Sequence, residues 1–248
     1  MRHIQAIGFD LFDTLITMRQ PAVGTALSRL CRALHDEGII FDEDAFNPIY
    51  VRIAKSQFEA ARHTGIETHN SFWICATLAE LGQPISLEDE RLTKAIRIYF
   101  ASFVEFASVI PGTVEMLKEL RKRYKLGLLS NFTDGQGARN ILTELGLANY
   151  FEVTLISGEL GYRKPHQKVF DTLASELSTV HEQILFVGDN VDDDIGGAMR
   201  SGMTPVWTTY ARDNGRKRTN KIMTEPVHEA EASVHRILDW SELLSLLD

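Results

Sequence analysis

Carboxylates gather at two places in this chain, Asp10 with Asp13 and Asp189 with Asp192, Asp193 and Asp194, and between them stand the pairs Ser130-Asn131 and Lys164-Pro165. Hydrolysis of a phosphate monoester needs a nucleophile at phosphorus, a cation to offset the non-bridging oxygens and an acid for the leaving oxygen. Asp10 can serve as the nucleophile, forming an aspartyl-phosphate, and Lys164 as the cation. Asp10 and Asp189, brought close, would repel each other unless a cation lay between them, and oxygen ligands with retained waters suit Mg²⁺. Each residue also has a plain reading: Asp and Ser are turn formers, acids favour helix starts, and lysines usually lie on the surface. Their weight comes from the combination.

Short strand-like runs at residues 4–9, 126–129, 151–156, 184–187 and 205–209 deliver these groups to loops. Amphipathic stretches at 113–123, 136–145, 167–177 and 193–201 alternate with them, which indicates βαβ units and a parallel sheet. Right-handed crossovers would bring the strand C-termini to one edge, where ligands bind in open α/β sheets. That edge would collect Asp10, Ser130, the loop leading to Lys164, and Asp189. Residues 19–106 lack strand alternation. Val23, Leu27, Leu30 and Leu34 form a helical stripe, Phe46, Ile49, Ile53 and Ala60 a less regular one, 72–81 a third candidate, and Ser86 to Asp89 resembles a capping box opening a fourth helix through Phe103. The expected fold is α/β: a Rossmann-like parallel sheet core, residues 1–17 and 108–248, with an inserted all-helical cap domain, residues 18–107. A last helix is expected over 234–247.

Asp10 to Thr14, Leu129-Ser130-Asn131, the Gly161 to Pro165 run, and Gly188-Asp189 with Asp194 and Gly197-Ala198 resemble the four motifs of the haloacid dehalogenase-like (HAD) hydrolases. The similarity extends over nearly the whole chain, is specific at the motifs, and is closest to the subgroup with an Asp-x-x-Asp-Thr first motif and a C1-type cap. It implies a Mg²⁺-dependent phosphatase acting on a small phosphorylated substrate. Asp10 and Lys164 would be catalytic. Thr14, Ser130 and Asn131 would bind substrate. Asp10, the backbone carbonyl of Phe12, Asp189 and Asp194 would hold the metal, with Asp193 the alternative to Asp194. Arg163 has no assigned role.

One position departs from the pattern. Family phosphatases usually carry a second aspartate two residues after the nucleophile, to protonate the leaving group and then activate water. Here that position is Phe12, and the aspartate follows as Asp13. Adjacent side chains of an extended strand point to opposite faces, so Asp13 serves as acid/base only if a turn re-aims it. Three readings follow: a phosphatase working without the usual acid or recruiting Asp13; a 2-haloacid dehalogenase, whose relatives carry an aromatic residue there and need no metal; and a phosphate-binding or regulatory module with poor turnover.

A net charge of −8 argues against a nucleic-acid surface. Arg216-Lys217-Arg218 reads as a solvated loop, and His166 as a solvated histidine. Neither a leader segment nor an apolar run long enough for a membrane is evident, so a cytoplasmic protein is expected. Cys31 and Cys75 lack metal-ligand spacing and read as buried free thiols. In the cap, Arg19 could meet an anion and Phe72 or Trp73 could stack on an organic group, although packing or surface roles explain each as well.

Overall fold

The structure is a computed structural model that describes residues 3–215 and 228–248, so the basic run at 216–218 lies outside the described residues. Among the described residues eight strands form: β1 (Ala6–Phe9), β2 (Ile16–Met18), β3 (Ala107–Val109), β4 (Lys125–Ser130), β5 (Val153–Ile156), β6 (Ile184–Gly188), β7 (Thr204–Thr208) and β8 (His235–Ile237). Six of them make one parallel sheet in the order β5-β4-β1-β6-β7-β8. A strand buried on both faces reads as a continuous apolar run, and β1 and β6 are buried along their whole length. In β1, Ile7 and Phe9 pack with Leu128, Val187 and Trp240 on one face, while Ala6 meets Phe170, Leu173 and Phe186 on the other.

The sheet order is what makes a site. β1 lies between β4 and β6, with Phe9 beside Leu128 on one side and Val187 on the other. Parallel strands in that register end together, so the loops after Phe9, Ser130 and Gly188 share one edge.

Between β2 and β3, which pair antiparallel, the chain forms four long helices: α1 (Ala22–Asp36), α2 (Glu43–Thr64), α3 (Asn70–Glu80) and α4 (Glu90–Ala101). The stripe expected of α1 is largely buried, with Leu27, Leu30 and Leu34 in the core. In α2 the buried set is Phe46, Tyr50, Ala54 and Ala61, whereas Ala60 is exposed. Tyr50 belongs to that stripe because its hydroxyl accepts from Asn70 Nδ2 at 2.6 Å, which satisfies a phenol buried in the core. The N-cap of α4 is Asp89, whose carboxylate accepts from the Arg91 N–H; Ser86 stands outside the helix.

The C-terminal segment corrects the sequence reading. His235–Ile237 adds β8 to the sheet, and the helix proper is Trp240–Leu247, capped by the Asp239 side chain. A three-residue edge strand is too short for its periodicity to separate it from the helix behind it. Cys31 is buried and Cys75 half-buried, both free, and burial pushes the Cys31 thiol up to about 12, which leaves it unreactive. Among the described residues, no helix is long and apolar enough to cross a membrane.

Candidate active site

Asp10 follows directly on β1, and its backbone N–H donates to the Val187 carbonyl at 2.9 Å, so the central strand fixes it against β6. Lys164 arrives from 154 residues further along the chain. Its ammonium, 1% exposed as a residue, donates to Asp10 Oδ1 at 2.6 Å and to the Leu129 carbonyl at 2.7 Å, and lies 2.8 Å from Asp194 Oδ1. Burial works to lower the lysine, but the charges of Asp10 and Asp194 outweigh it, and the ammonium is held above its ordinary value. A lysine buried this deeply is retained only because it is paired.

Asp189 and Asp194 complete the cluster. Carboxylate oxygens of Asp10, Asp189 and Asp194 all lie within 4.8 Å of one another. Burial pushes Asp194 up to about 7; the Lys164 ammonium opposes that shift and the Asp10 charge adds to it. Asp194 reaches the sheet edge because Gly188 has no side chain: a Cβ there would run into the Asp194 carboxylate. The three acids 192–194 lie on a wide turn of π-helix, Val191–Ile195, rather than an ordinary helix start, and the Asn190 side chain accepts from the N–H groups of Asp192 and Asp193. Asp193 is buried near Asn131 Nδ2, at 3.4 Å, and is not a member of the three-carboxylate group.

The remaining sequence candidates divide. Asn131 clamps the lysine loop: its Nδ2 donates to the Lys164 carbonyl at 3.0 Å, and its Oδ1 accepts from the Lys164 N–H at 2.8 Å. Thr14 and Ser130 are fully buried, and their hydroxyls have no hydrogen-bond partner among the described residues. Buried hydroxyls are rarely left so, and such a gap calls for an explanation. Asp13 sits in a left-handed turn, φ 61°, with its N–H donating to the Ile16 carbonyl at 2.7 Å. The backbone there is not extended. Even so, Asp13 is neither in the three-carboxylate group nor a wall of the adjoining cavity, whereas Phe12 is such a wall.

That cavity, about 170 Å³, lies between the helical insert and the sheet edge. Trp73 lines it, but Phe72 is 49% exposed and Arg19, also exposed, donates to the Glu105 carbonyl, so neither of these two reaches it. His166 is half-buried rather than solvated; it caps the helix Gln167–Glu176 and its ring lies 4.7 Å from that of Tyr162.

Sequence reasoning missed one component. Glu67, in the α2–α3 loop, is buried against the lysine loop: one carboxylate oxygen accepts from the Ser157 hydroxyl, and the other from the Thr68 N–H at 2.9 Å and Arg163 Nη1 at 3.3 Å. Backbone bonds Glu67 N–H to Gly161 and Arg163 N–H to Gly65 sew the two loops together, and Arg163 stands 4.2 Å from the centre of the Phe58 ring. The helical insert is thereby tied to the residue beside Lys164. Glu67→Ala strands a buried guanidinium and is expected to lower unfolding free energy by about 3–5 kcal/mol in chemical denaturation. Removal of Glu80, whose pairing with Arg52 is solvent-exposed, should produce a small fraction of that. Equal effects would show that the Glu67 contact adds nothing to the docking.

Comparison with known proteins follows the same lines. The family model described as haloacid dehalogenase-like hydrolase matches residues 4–202. The 5-amino-6-(5-phospho-D-ribitylamino)uracil phosphatase YigB of Escherichia coli (strain K12) is 36% identical over 214 residues, 82% of this chain and 83% of that one. The pyrimidine 5'-nucleotidase YjjG of the same organism is 30% identical over 125 residues, so the chain spans about half, 53%, of that relative, and 50% of this chain is matched. The crystal structure of 2-haloacid dehalogenase from Pseudomonas syringae pv. Tomato DC3000 superposes with a TM-score of 0.71 over 98% of both chains at 21% identity, a likeness of fold.

Proposed function

Because the chain belongs to the haloacid dehalogenase-like hydrolases, we propose that it hydrolyses a small phosphate monoester through an aspartyl-phosphate on Asp10. The observation that carries this reading is the buried Lys164 ammonium lying against Asp10 and Asp194 in a cluster of three carboxylates. The cluster holds more negative charge than the ammonium offsets, and all its donors are oxygen, which fits a hard divalent cation. Asp10, Asp189, Asp194 and the Phe12 carbonyl would hold Mg²⁺. Bound there, the metal would polarise the ester and neutralise phosphate charge.

The chain's own residues do the rest. Asp10 attacks phosphorus as the bond to the leaving oxygen breaks, and Lys164 keeps the carboxylate aimed. Thr14 and Ser130 offer their unpartnered hydroxyls to phosphate oxygens, while Asn131 holds the Lys164 backbone in place. Water then attacks phosphorus and returns Asp10 to its carboxylate. Residues 18–107 act as a cap over this core of residues 1–17 and 108–248, excluding bulk water from the phosphoenzyme. The phosphatase name of YigB supports the reaction class.

Phe12 favours one rival, the 2-haloacid dehalogenase, since no acid is needed when a halide leaves. The carboxylate cluster speaks against it, because a halide departing from carbon gives that charge nothing to do. Phosphate release from an aryl phosphate, with and without Mg²⁺, decides between them. Metal-dependent release is expected. No phosphate, with halide freed from 2-haloacids, would overturn the phosphatase reading.

A second result tests the vacant acid position. General acid–base catalysis contributes about 10²–10⁴-fold, so Phe12→Asp is expected to raise turnover of alkyl phosphates toward that range. Unchanged kcat on alkyl esters, in a variant that still binds phosphate, would mean another group already supplies the proton.

A further inference from the structure

The cavity that Phe12 and Asn131 help to line is poorly suited to a polyhydroxylated leaving group. Phe12 and Phe132 stack in its wall, ring centres 5.0 Å apart and planes 22° apart, and Phe58, Trp73 and Phe100 face the same space. Several of the polar groups that line it already have partners, while Asn70 Oδ1 and Arg163 Nε are buried with none among the described residues. Asn131 clamps the lysine loop, Asn70 Nδ2 donates to the Tyr50 hydroxyl, and Arg163 pairs with Glu67. Asn70 Oδ1 and Arg163 Nε could meet at most a couple of hydroxyls, so a sugar carrying many would give up most of its water against aromatic rings without equal replacement. At about 170 Å³ the cavity is close to the size of apolar cavities, about 150 Å³, that hold a benzene ring.

A second observation points the same way. The residue standing where a leaving-group acid is expected is Phe12, and the carboxylate in the cavity wall, Glu67, already accepts from Ser157, Thr68 and Arg163. An alkoxide departs poorly without a proton. A phenolate departs readily without one.

Building on the phosphatase reading, we propose that the substrate class is the phosphate monoester of a small, uncharged phenol, with Phe12 and Phe132 as specificity-determining residues that stack on the ring. In the first step the Asp10 oxygen–phosphorus bond forms as the phosphorus–aryl oxygen bond breaks. The electron pair leaves on the phenolate, which takes a proton from solvent. In the second step water attacks phosphorus, gives up its proton to solvent, and releases phosphate with Asp10 as a carboxylate.

The test uses the full chain with Mg²⁺ and four esters: phenyl, benzyl, glycerol and acetyl phosphate. Phenyl phosphate should exceed benzyl and glycerol phosphate in kcat/KM by about 10² or more, the range an absent acid leaves uncorrected. Phe132→Leu should raise KM for phenyl phosphate about tenfold and lower its kcat/KM more than that for acetyl phosphate, which is reactive but has no ring. If Phe132→Leu does not fold, Phe58→Leu makes the same comparison. Glycerol phosphate handled as well as phenyl phosphate, or a KM that ignores both substitutions, would overturn the aryl assignment while leaving the phosphatase reading intact. No phosphate from any ester, acetyl phosphate included, would overturn both.

Discussion

Asp10→Asn is expected to lower kcat by about 10⁴–10⁶-fold, the order of loss seen when a covalent nucleophile is removed. The amide keeps the shape of the carboxylate but cannot attack phosphorus. The fold should survive, because the backbone N–H of residue 10 still donates to Val187 and the Lys164 ammonium keeps Asp194 and the Leu129 carbonyl as partners. Phosphate release and thermal unfolding, measured on one preparation, separate the two effects. Turnover within tenfold of the parent would remove Asp10 as nucleophile.

Lys164→Met should produce the largest combined effect, on stability and activity together. Its thioether chain fills much of the same volume but leaves Asp10 and Asp194 buried without their ammonium. Breaking a buried pair from one side generally costs about 3–5 kcal/mol. Urea unfolding should report a loss of that order in chelator. Mg²⁺ should recover part of it, since the carboxylates left behind still offer oxygen ligands to a cation. Activity should not return, because Asp10 has lost the group that aims it. A variant as stable as the parent in chelator would show that the lysine does not hold the cluster together.

The residues converging on that lysine were legible because chemistry and topology coincide. Asp10, Ser130 and Asp189 each end an apolar run, and parallel connectivity sends such ends to one edge, even for partners as far apart in sequence as Asp10 and Lys164. The spacing from Asp189 to Gly197-Ala198 also singled out Asp194 over Asp193, and the structure groups Asp194, not Asp193, with Asp10 and Asp189. Glu67 carried no such signal. Its partners Ser157 and Arg163 lie 90 and 96 residues away, and nothing local distinguishes a buried acid from a solvated one. Helix phase hid the cavity wall in the same way: Phe72 and Trp73 are neighbours, yet one faces solvent and the other the cavity. Strands of three residues, β2, β3 and β8, are set by their pairing partners rather than by a pattern of their own.

A covalent phosphoryl group on Asp10 would be caught by rapid-quench kinetics with phenyl phosphate in Mg²⁺. Because Phe12 supplies no base to activate water, breakdown of the phosphoenzyme should be the slow step. A burst of phenol stoichiometric with enzyme is expected, with slower phosphate release and a phosphoryl group found by peptide mass analysis on Asp10. Phenol and phosphate released in step from the first turnover, with Asp10 unmodified throughout, would contradict the covalent route.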